Sequence, residues 1–164
     1  MSDVRIINVT NLAGIWADWL LKPDGTLDET EELANIVKVA LLTWGLADTD
    51  DILPDPDSTD RCGWWGNLDA EMIWDGWDIG AKIWLLKRAK ITPAEAREGA
   101  TLSRAEQYCR AALQPMIDKR ICSHVEVAAT RGSIERINVS VKVYRGQLLA
   151  IELRFQNLWD QIRA

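Results

Sequence analysis

The sequence predicts an α+β fold in which about three helices pack on a small antiparallel sheet that ends in a C-terminal β-meander. Two patterns lead to this prediction. Apolar residues recur with helical spacing through the middle of the chain, and they alternate with polar residues through its last part. The length of 164 residues suits one domain with a proper core, so we expect a single domain spanning residues 1–164.

The first two elements are a short strand and a well-defined helix. VRIINV has strand composition, whereas NLAGIWADWLL, with Trp16, Trp19 and Leu20, is interpreted as a helical or irregular segment before the turn KPDGT. The next helix has one apolar stripe, formed by Leu33, Ile36, Val37, Ala40 and Leu41. Asp28 and Glu31 predict its N-terminal cap and first turn, and Gly45 predicts its C-cap.

The segment MIWDGWDIGAKIWLLKRAK predicts a second, largely buried helix that begins near Asp75 or Asp78. One side of it would carry Trp77, Gly80, Ala81, Trp84 and Leu85. A third helix is predicted after the connector ITPAEAREGAT, with a capping box at Ser103 and Glu106 and a kink near Pro115. Its buried stripe would be Ala105, Cys109, Ala112, Leu113 and Met116.

The last part of the chain predicts a three-stranded meander. SHVEVAAT and INVSVKVY alternate apolar and polar residues, and LLAIELRF follows them. RGS and RGQ are interpreted as tight turns, which make the neighbouring strands antiparallel. The expected inward residues of the second strand are Ile137, Val139, Val141 and Val143, and those of the third are Leu149, Ile151, Leu153 and Phe155.

Composition argues against several classes of function. The net charge of −6 and the pI of about 4.8 disfavour nucleic-acid binding, because an acidic surface repels phosphate backbones. No apolar run approaches the ~18 residues of a membrane span, which predicts no membrane association. MSDVRIINV lacks a basic region followed by an apolar stretch, so no secretory signal is predicted and folding in a cytoplasm is expected.

Motifs for catalysis or metal binding are also lacking. Three cysteines and the single His124 do not form a zinc pattern, and we expect Cys62, Cys109 and Cys122 to be reduced and unpaired. The loop DTDDILPDPDSTD is the best candidate for a metal, but prolines stand where an EF-hand must bend and the final glutamate is missing. A solvated acidic loop is therefore expected, with weak calcium binding as the open alternative. G-x-S-x-G, P-loop and G-x-G-x-x-G motifs are missing. We therefore expect no enzyme activity, no cofactor and no metal, although a pair of carboxylates in a cleft remains an open alternative.

Tryptophan is the unusual feature of the composition. Nine of the twelve aromatic residues are Trp, and two of them stand together in TDRCGWWGN. Asp60 and Arg61 precede this pair, and an arginine there can stack on a ring while it holds a carboxylate. Two interpretations stay open: a structural clasp that fastens the loop to the core, and a binding patch. Adjacent residues in an extended segment point opposite ways, so we expect Trp64 or Trp65 in the core and the other near the surface.

The stretches TDRCGWWGN and GAKIWLLKRAK together resemble the Mu-like phage gene-product-46 family of baseplate proteins in contractile tails. TLSRAEQYCRAALQPMID, SHVEVAAT, INVSVKVYR and DGTLDETEELANIVKVALLTW are similar to the same family, so the resemblance covers nearly the whole chain. The sequence departs from the family pattern at Cys62, where an arginine is expected, and at Asn67, where an aspartate is expected.

The resemblance implies a non-catalytic wedge protein of the virion tail baseplate, assembled in the host cytoplasm. Its implied partners are other wedge proteins and the tail sheath, with weak self-association, and it would share β-strands with the first sheath ring. The expected clasp or interaction residues are Asp60, Arg61, Trp64, Trp65, Trp84, Lys87 and Arg88. The expected strand-sharing edge contains Leu149, Ala150, Ile151, Glu152 and Leu153. The alternatives are a tail-associated hydrolase of cell-wall polysaccharide and a soluble adaptor domain.

Overall fold

The computed structural model describes residues 6–11, 14–19, 22–24, 32–87, 100–133 and 136–155. The chain forms two compact units, Met1–Val39 and Ala40–Ala164. Within the described residues there are three α-helices and a C-terminal antiparallel sheet of three strands that packs against the third helix. The predicted α+β class with a C-terminal meander is therefore confirmed.

The first unit contains an antiparallel hairpin. Strand β1 (Ile6–Asn11) pairs with β2 (Gly14–Trp19) along its whole length. The prediction of a helical or irregular segment at NLAGIWADWLL was therefore wrong, because aromatic and β-branched residues suit a strand once a partner strand is adjacent. Leu20 lies outside the described residues.

Helix α1 (Glu32–Leu42) crosses the boundary between the units and confirms the predicted stripe. Leu33, Val37, Ala40 and Leu41 are buried, and Ile36 is half-buried. The predicted cap residues Asp28 and Glu31 lie outside the described residues.

Gly45 lies at a crossing of two backbones. Its N–H donates to the Ala81 carbonyl at 3.0 Å, and the Ala81 N–H donates to the Thr43 carbonyl at 2.9 Å. A Cβ on Gly45 would lie 3.0 Å from the carbonyl oxygen of Gly80, and a Cβ on Gly80 would lie 2.7 Å from the Gly45 nitrogen. The close approach of the two segments therefore accounts for both glycines, and Gly45 serves this crossing rather than the C-cap predicted for it.

The second predicted helix was wrong in length and position. The structure has a short helix α2 (Ala70–Ile73), then residues without regular structure, then a 3₁₀ helix at Lys82–Leu86. Asp75, Gly76 and Gly80 have φ of 53°, 73° and 135°, and these left-handed values interrupt a continuous helix. Burial was predicted better than helicity, since Trp77, Ala81, Trp84 and Leu85 are all buried.

Helix α3 (Ala100–Asp118) buries the five residues predicted for it: Ala105, Cys109, Ala112, Leu113 and Met116. The helix begins before Ser103, so the predicted capping box is wrong, and Glu106 has a different role described below. Pro115 lies inside the helix, which continues to Asp118.

The meander runs through β3 (His124–Ser133), β4 (Arg136–Arg145) and β5 (Leu148–Phe155), in the spatial order β3-β4-β5. The RGS turn was wrong: β3 continues through Ser133, which pairs with Arg136, and the register shifts between Arg131 and Ser133. The RGQ turn is confirmed at Gly146, whose φ is 65°. Val127, Ile137, Val139, Val141, Val143 and Phe155 form the buried face, whereas Leu149 is exposed and Ile151 and Leu153 are half-buried.

The three cysteines are free, and they should differ in reactivity. Burial raises the pKa of the Cys109 thiol to about 12, with a smaller contribution from the charge of Glu106. Burial also raises the pKa of Cys62, which is half-buried, and of Cys122. Thiolate is the reactive form, so at pH 8 we expect a thiol reagent to modify Cys62 first and Cys109 only after unfolding. Mass spectrometry of partly modified protein checks this order, and labelling of Cys109 as fast as Cys62 would contradict it.

Candidate interaction surfaces

Arg61 fastens the acidic loop to the segment after α1. Its Nε donates to the Ala47 carbonyl at 2.7 Å, a second guanidinium nitrogen donates to the same oxygen, and the Ala47 N–H donates to the Arg61 carbonyl at 3.0 Å. The guanidinium thus holds a backbone carbonyl. This contact is of the clasp type that the sequence left open beside a binding patch.

Asp60 shapes the turn that follows. Its Oδ1 accepts a hydrogen bond from the Cys62 N–H at 2.8 Å, and its own N–H donates to the Ser58 hydroxyl at 3.1 Å. Cys62 has φ of 52° and Gly63 has φ of 108°, so the chain reverses immediately before the tryptophan pair. The carboxylate stabilises this reversal by occupying a backbone donor.

Lys82 closes the other end of the acidic loop. Its Nζ lies 2.5 Å from an Asp48 carboxylate oxygen and 2.9 Å from an Asp51 oxygen. Burial acts to raise the pKa of Asp51, but the hydrogen bonds from Lys82 and from the Asp48 N–H, with the charges of Lys82 and Arg61, lower it overall. The proline-broken acidic segment is therefore tied at both ends, by Arg61 and by Lys82.

The two tryptophans of the WW pair are not equivalent. Trp64 is half-buried, with its ring centroid 5.8 Å from that of Trp65 and 6.2 Å from that of Trp74, whereas Trp65 is 79% exposed. The Trp74 Nε1–H donates to the Gly66 carbonyl at 3.2 Å. The expected difference between the pair is therefore present, although the inner member is half-buried rather than fully in the core.

Asn67 fixes the end of this turn. Its amide Nδ2 donates to the Ile79 carbonyl at 2.8 Å, and its Oδ1 accepts from the Ile79 N–H at 3.0 Å. A carboxylate could accept the second bond but could not donate the first. At this position, where the family pattern has aspartate, the asparagine can therefore make both hydrogen bonds to the backbone of Ile79.

Gly66 leaves room for the ring of Trp64. A Cβ on Gly66 would lie 2.6 Å from atoms of that ring. We expect Gly66→Ala to displace Trp64 and to lower the free energy of unfolding by roughly 1–3 kcal/mol, as overpacking does. Urea unfolding of this variant checks the value, and Gly146→Ala serves for comparison, since a Cβ there meets no atom within 4 Å and its cost comes from the positive φ of 65°, which Gly66 does not share. An unchanged free energy of unfolding in Gly66→Ala would contradict the close packing of Trp64 on this glycine.

Trp84 belongs to the core rather than to an exposed surface. It is 6% exposed, its Nε1–H donates to the Gly45 carbonyl at 2.8 Å, and its ring stacks on Trp44 with centroids 6.4 Å apart. Lys87 is exposed just after it, and Arg88 lies outside the described residues.

The outer edge of β3 is occupied by side chains of α3. Glu106 accepts a hydrogen bond from the Ala129 N–H at 2.8 Å, and Arg110 donates to the Val127 carbonyl at 3.0 Å. Both backbone groups point away from β4. The side chains of Glu106 and Arg110 therefore occupy backbone groups that an added strand would need. This role of Glu106 was not predicted, since its sequence position indicated a helix cap.

The outer edge of β5 has a different geometry. The Ser123 N–H donates to the Tyr144 carbonyl at 2.9 Å, so Tyr144 faces β3. Because the N–H and C=O groups of successive residues point to opposite sides of a strand, those of Val143 and Val141 point toward β5. There they bond the backbone of Ile151 and Leu153, which are their partners in the register. The N–H and C=O groups of Glu152 and Arg154 consequently point outward. Ala150 falls at the register shift between Val143 and Tyr144, which leaves Glu152 at the centre of the regular edge.

The polar face of the sheet carries two carboxylates, which are the candidates for the hydrolase alternative. Glu126, Lys142 and Glu152 lie in one row across the three strands. The Tyr144 hydroxyl donates to Glu126 at 3.0 Å, and Arg154 donates to Glu152 at 3.1 Å. Both of these glutamates are exposed to solvent.

The described residues form neither a metal-binding cluster nor a membrane-spanning helix. No cluster of at least three His, Cys, Asp or Glu side chains there is arranged to hold a metal ion. No helix among them has the length and apolar character needed to cross a membrane.

The family model described as phage protein GP46 matches residues 33–148, which is most of the chain. The chain belongs to the phage protein GP46 family. The matched region contains the WW pair and the clasp, and it ends at the first residue of β5.

Two relatives are similar to this chain. The baseplate protein gp46 of Escherichia phage Mu is 37% identical over 109 residues, which cover 65% of this chain and 67% of the Mu protein. The Mu-like prophage FluMu protein gp46 of Haemophilus influenzae is 31% identical over 81 residues, covering 49% of this chain and 53% of that protein. The chain thus spans about two thirds of the first relative and about half of the second.

Proposed function

We propose that this protein is a non-catalytic structural component of the baseplate of a Mu-like contractile tail, assembled in the host cytoplasm. Family membership and the name of the Mu relative support the baseplate assignment. In this role the chain binds neighbouring wedge proteins and the tail sheath, and the β5 edge receives a strand of one of them.

The asymmetry of the sheet edges is the observation that carries the proposal. Glu106 and Arg110 occupy outward backbone groups of β3, which blunts that edge against pairing. The outward N–H groups of Glu152 and Arg154 lie on a strand whose residues 148–155 include no proline or glycine. Such an edge is a template for an added strand from another chain.

The hydrolase alternative is less well supported. Its two candidate carboxylates, Glu126 and Glu152, are exposed and are engaged by a tyrosine hydroxyl and an arginine. No specific contact among the described residues favours an adaptor domain over a baseplate component.

Deletion and complementation of the gene in its phage test the proposal. Without the protein we expect lysates to lack sheathed tails, and with it we expect purified tails to contain the chain at a fixed ratio to the sheath, measured by quantitative mass spectrometry. Normal tails from the deletion strain, or tails that lack the chain, would contradict the baseplate role.

A further inference from the structure

An exposed apolar patch extends from the second tryptophan of the WW pair to Trp74, on a segment that precedes the predicted start of the second helix. Its members are Trp65, Leu68, Met72, Ile73 and Trp74, and we call them the Trp65–Trp74 patch. Leu68 and Met72 are 86% and 87% exposed. Single exposed apolar residues are ordinary on a protein surface, but several together on one short segment are typical of an interaction site.

The backbone under the patch is held in place by side-chain hydrogen bonds, one within the segment and others to residues beyond it. Trp74 is bonded to Gly66, and Asn67 is bonded through both amide atoms to Ile79. Lys119, just after α3, donates to the Asp75 carbonyl at 2.6 Å and to its carboxylate at 2.9 Å. The apolar side chains are therefore presented on a pre-organised frame, which lowers the entropy cost of binding.

The charged residues within the segment that carries the patch are all acidic. Asp69, Glu71, Asp75 and Asp78 are all exposed, and residues 65–78 contain no lysine or arginine. Lys119 engages Asp75. A partner that covers the apolar residues must therefore approach an acidic border.

We propose that the Trp65–Trp74 patch binds a protein surface with an apolar centre bordered by lysine or arginine. A second copy of this chain would place one acidic border against another, and like charges facing each other across an interface oppose association. The partner is accordingly a different protein. The inference rests on the proposed function, in that the partner is a component of the same baseplate, and it concerns a surface separate in sequence from the β5 edge.

Met72 supplies a direct probe of this surface, because a methionine oxidises according to its exposure. Isolated protein and purified tails are treated with hydrogen peroxide, and sulfoxide at Met72 is followed by mass spectrometry. Met116, which is fully buried, is the internal reference and should react slowly in both samples. We expect Met72 to oxidise readily in the isolated chain and to be protected in tails. Protection in the isolated chain at high concentration, together with dimers by light scattering, would assign the patch to self-association and overturn the proposal.

A charge reversal tests the chemistry of the partner. Glu71→Lys should reduce incorporation into tails by roughly tenfold or more, because the new lysine would face the basic border of the partner with a like charge. Asp57→Lys is the matched control, an exposed acid outside the patch, and should be incorporated normally. Circular dichroism checks that both variants fold.

Tails that contain the chain but leave Met72 reactive would contradict this inference and would not affect the baseplate role. Equal incorporation of the two variants would contradict a partner surface bordered by lysine or arginine. Absence of the wild-type chain from tails would contradict both this inference and the proposed function.

Discussion

Replacing Trp84 with alanine is expected to lower the free energy of unfolding by about 3–5 kcal/mol, the range for large core aromatics. The side chain is 6% exposed and stacks on Trp44, so alanine leaves a cavity. The change also leaves the buried Gly45 carbonyl without its indole donor, at the crossing of residues 43–45 with residues 80–81. Urea unfolding followed by far-ultraviolet circular dichroism gives the value.

Two further variants separate the causes. Trp84→Phe keeps most of the apolar volume but removes the N–H, and should cost less than the alanine variant. Trp65→Ala removes a side chain of the same size that is 79% exposed, and should change stability by less than about 0.5 kcal/mol. Similar losses for Trp65→Ala and Trp84→Ala would contradict the distinction between an exposed patch and a core tryptophan.

The spacing of apolar residues predicted the secondary structure correctly wherever a single helix or strand spans the whole pattern. The stripes of α1 and α3 and the alternation of β4 appear as expected, because burial on one face selects those spacings. The same reasoning failed between Ala70 and Leu86. Trp77, Ala81, Trp84 and Leu85 have helical spacing and are buried, but Asp75, Gly76 and Gly80 adopt left-handed backbone conformations that end any helix there.

The contacts that form the candidate surfaces were harder to predict from the sequence. Arg61 was expected to meet a ring or a carboxylate, yet it holds the carbonyl of Ala47, and carbonyls carry no sequence signal. Glu106 fitted a capping box by spacing, whereas its partner is an N–H on β3 that only the tertiary fold brings close. The exposure of Met72 and Ile73, which precede the predicted start of the second helix, was not predicted, although the acidic residues beside them were a usable signal.

Replacing Glu152 with proline is expected to abolish sheath polymerisation on the baseplate while the isolated protein stays folded. The Glu152 N–H points away from β4, so proline removes no bond of the β4–β5 ladder and is tolerated as on other edge strands. It removes a donor that an added strand would need and places a ring in its path. Electron microscopy of lysates measures the loss of sheathed tails.

Two control variants separate the loss of the outward N–H from the other effects of the proline. Glu152→Ala removes the same carboxylate, with its bond to Arg154, but keeps the N–H, and should assemble normally. Leu153→Pro removes an N–H that faces β4 and should destabilise the isolated protein. A Glu152→Ala variant as defective as Glu152→Pro would assign the effect to the lost side chain.

Amide hydrogen exchange of β5 in assembled tails tests the shared strand most directly. In the isolated protein, the outward amides of Glu152 and Arg154 should exchange quickly, whereas those of Ile151 and Leu153, bonded to β4, should exchange slowly. In tails, we predict that the Glu152 and Arg154 amides become as protected as their neighbours. Unchanged fast exchange at both positions in tails that contain the chain would contradict strand sharing at this edge.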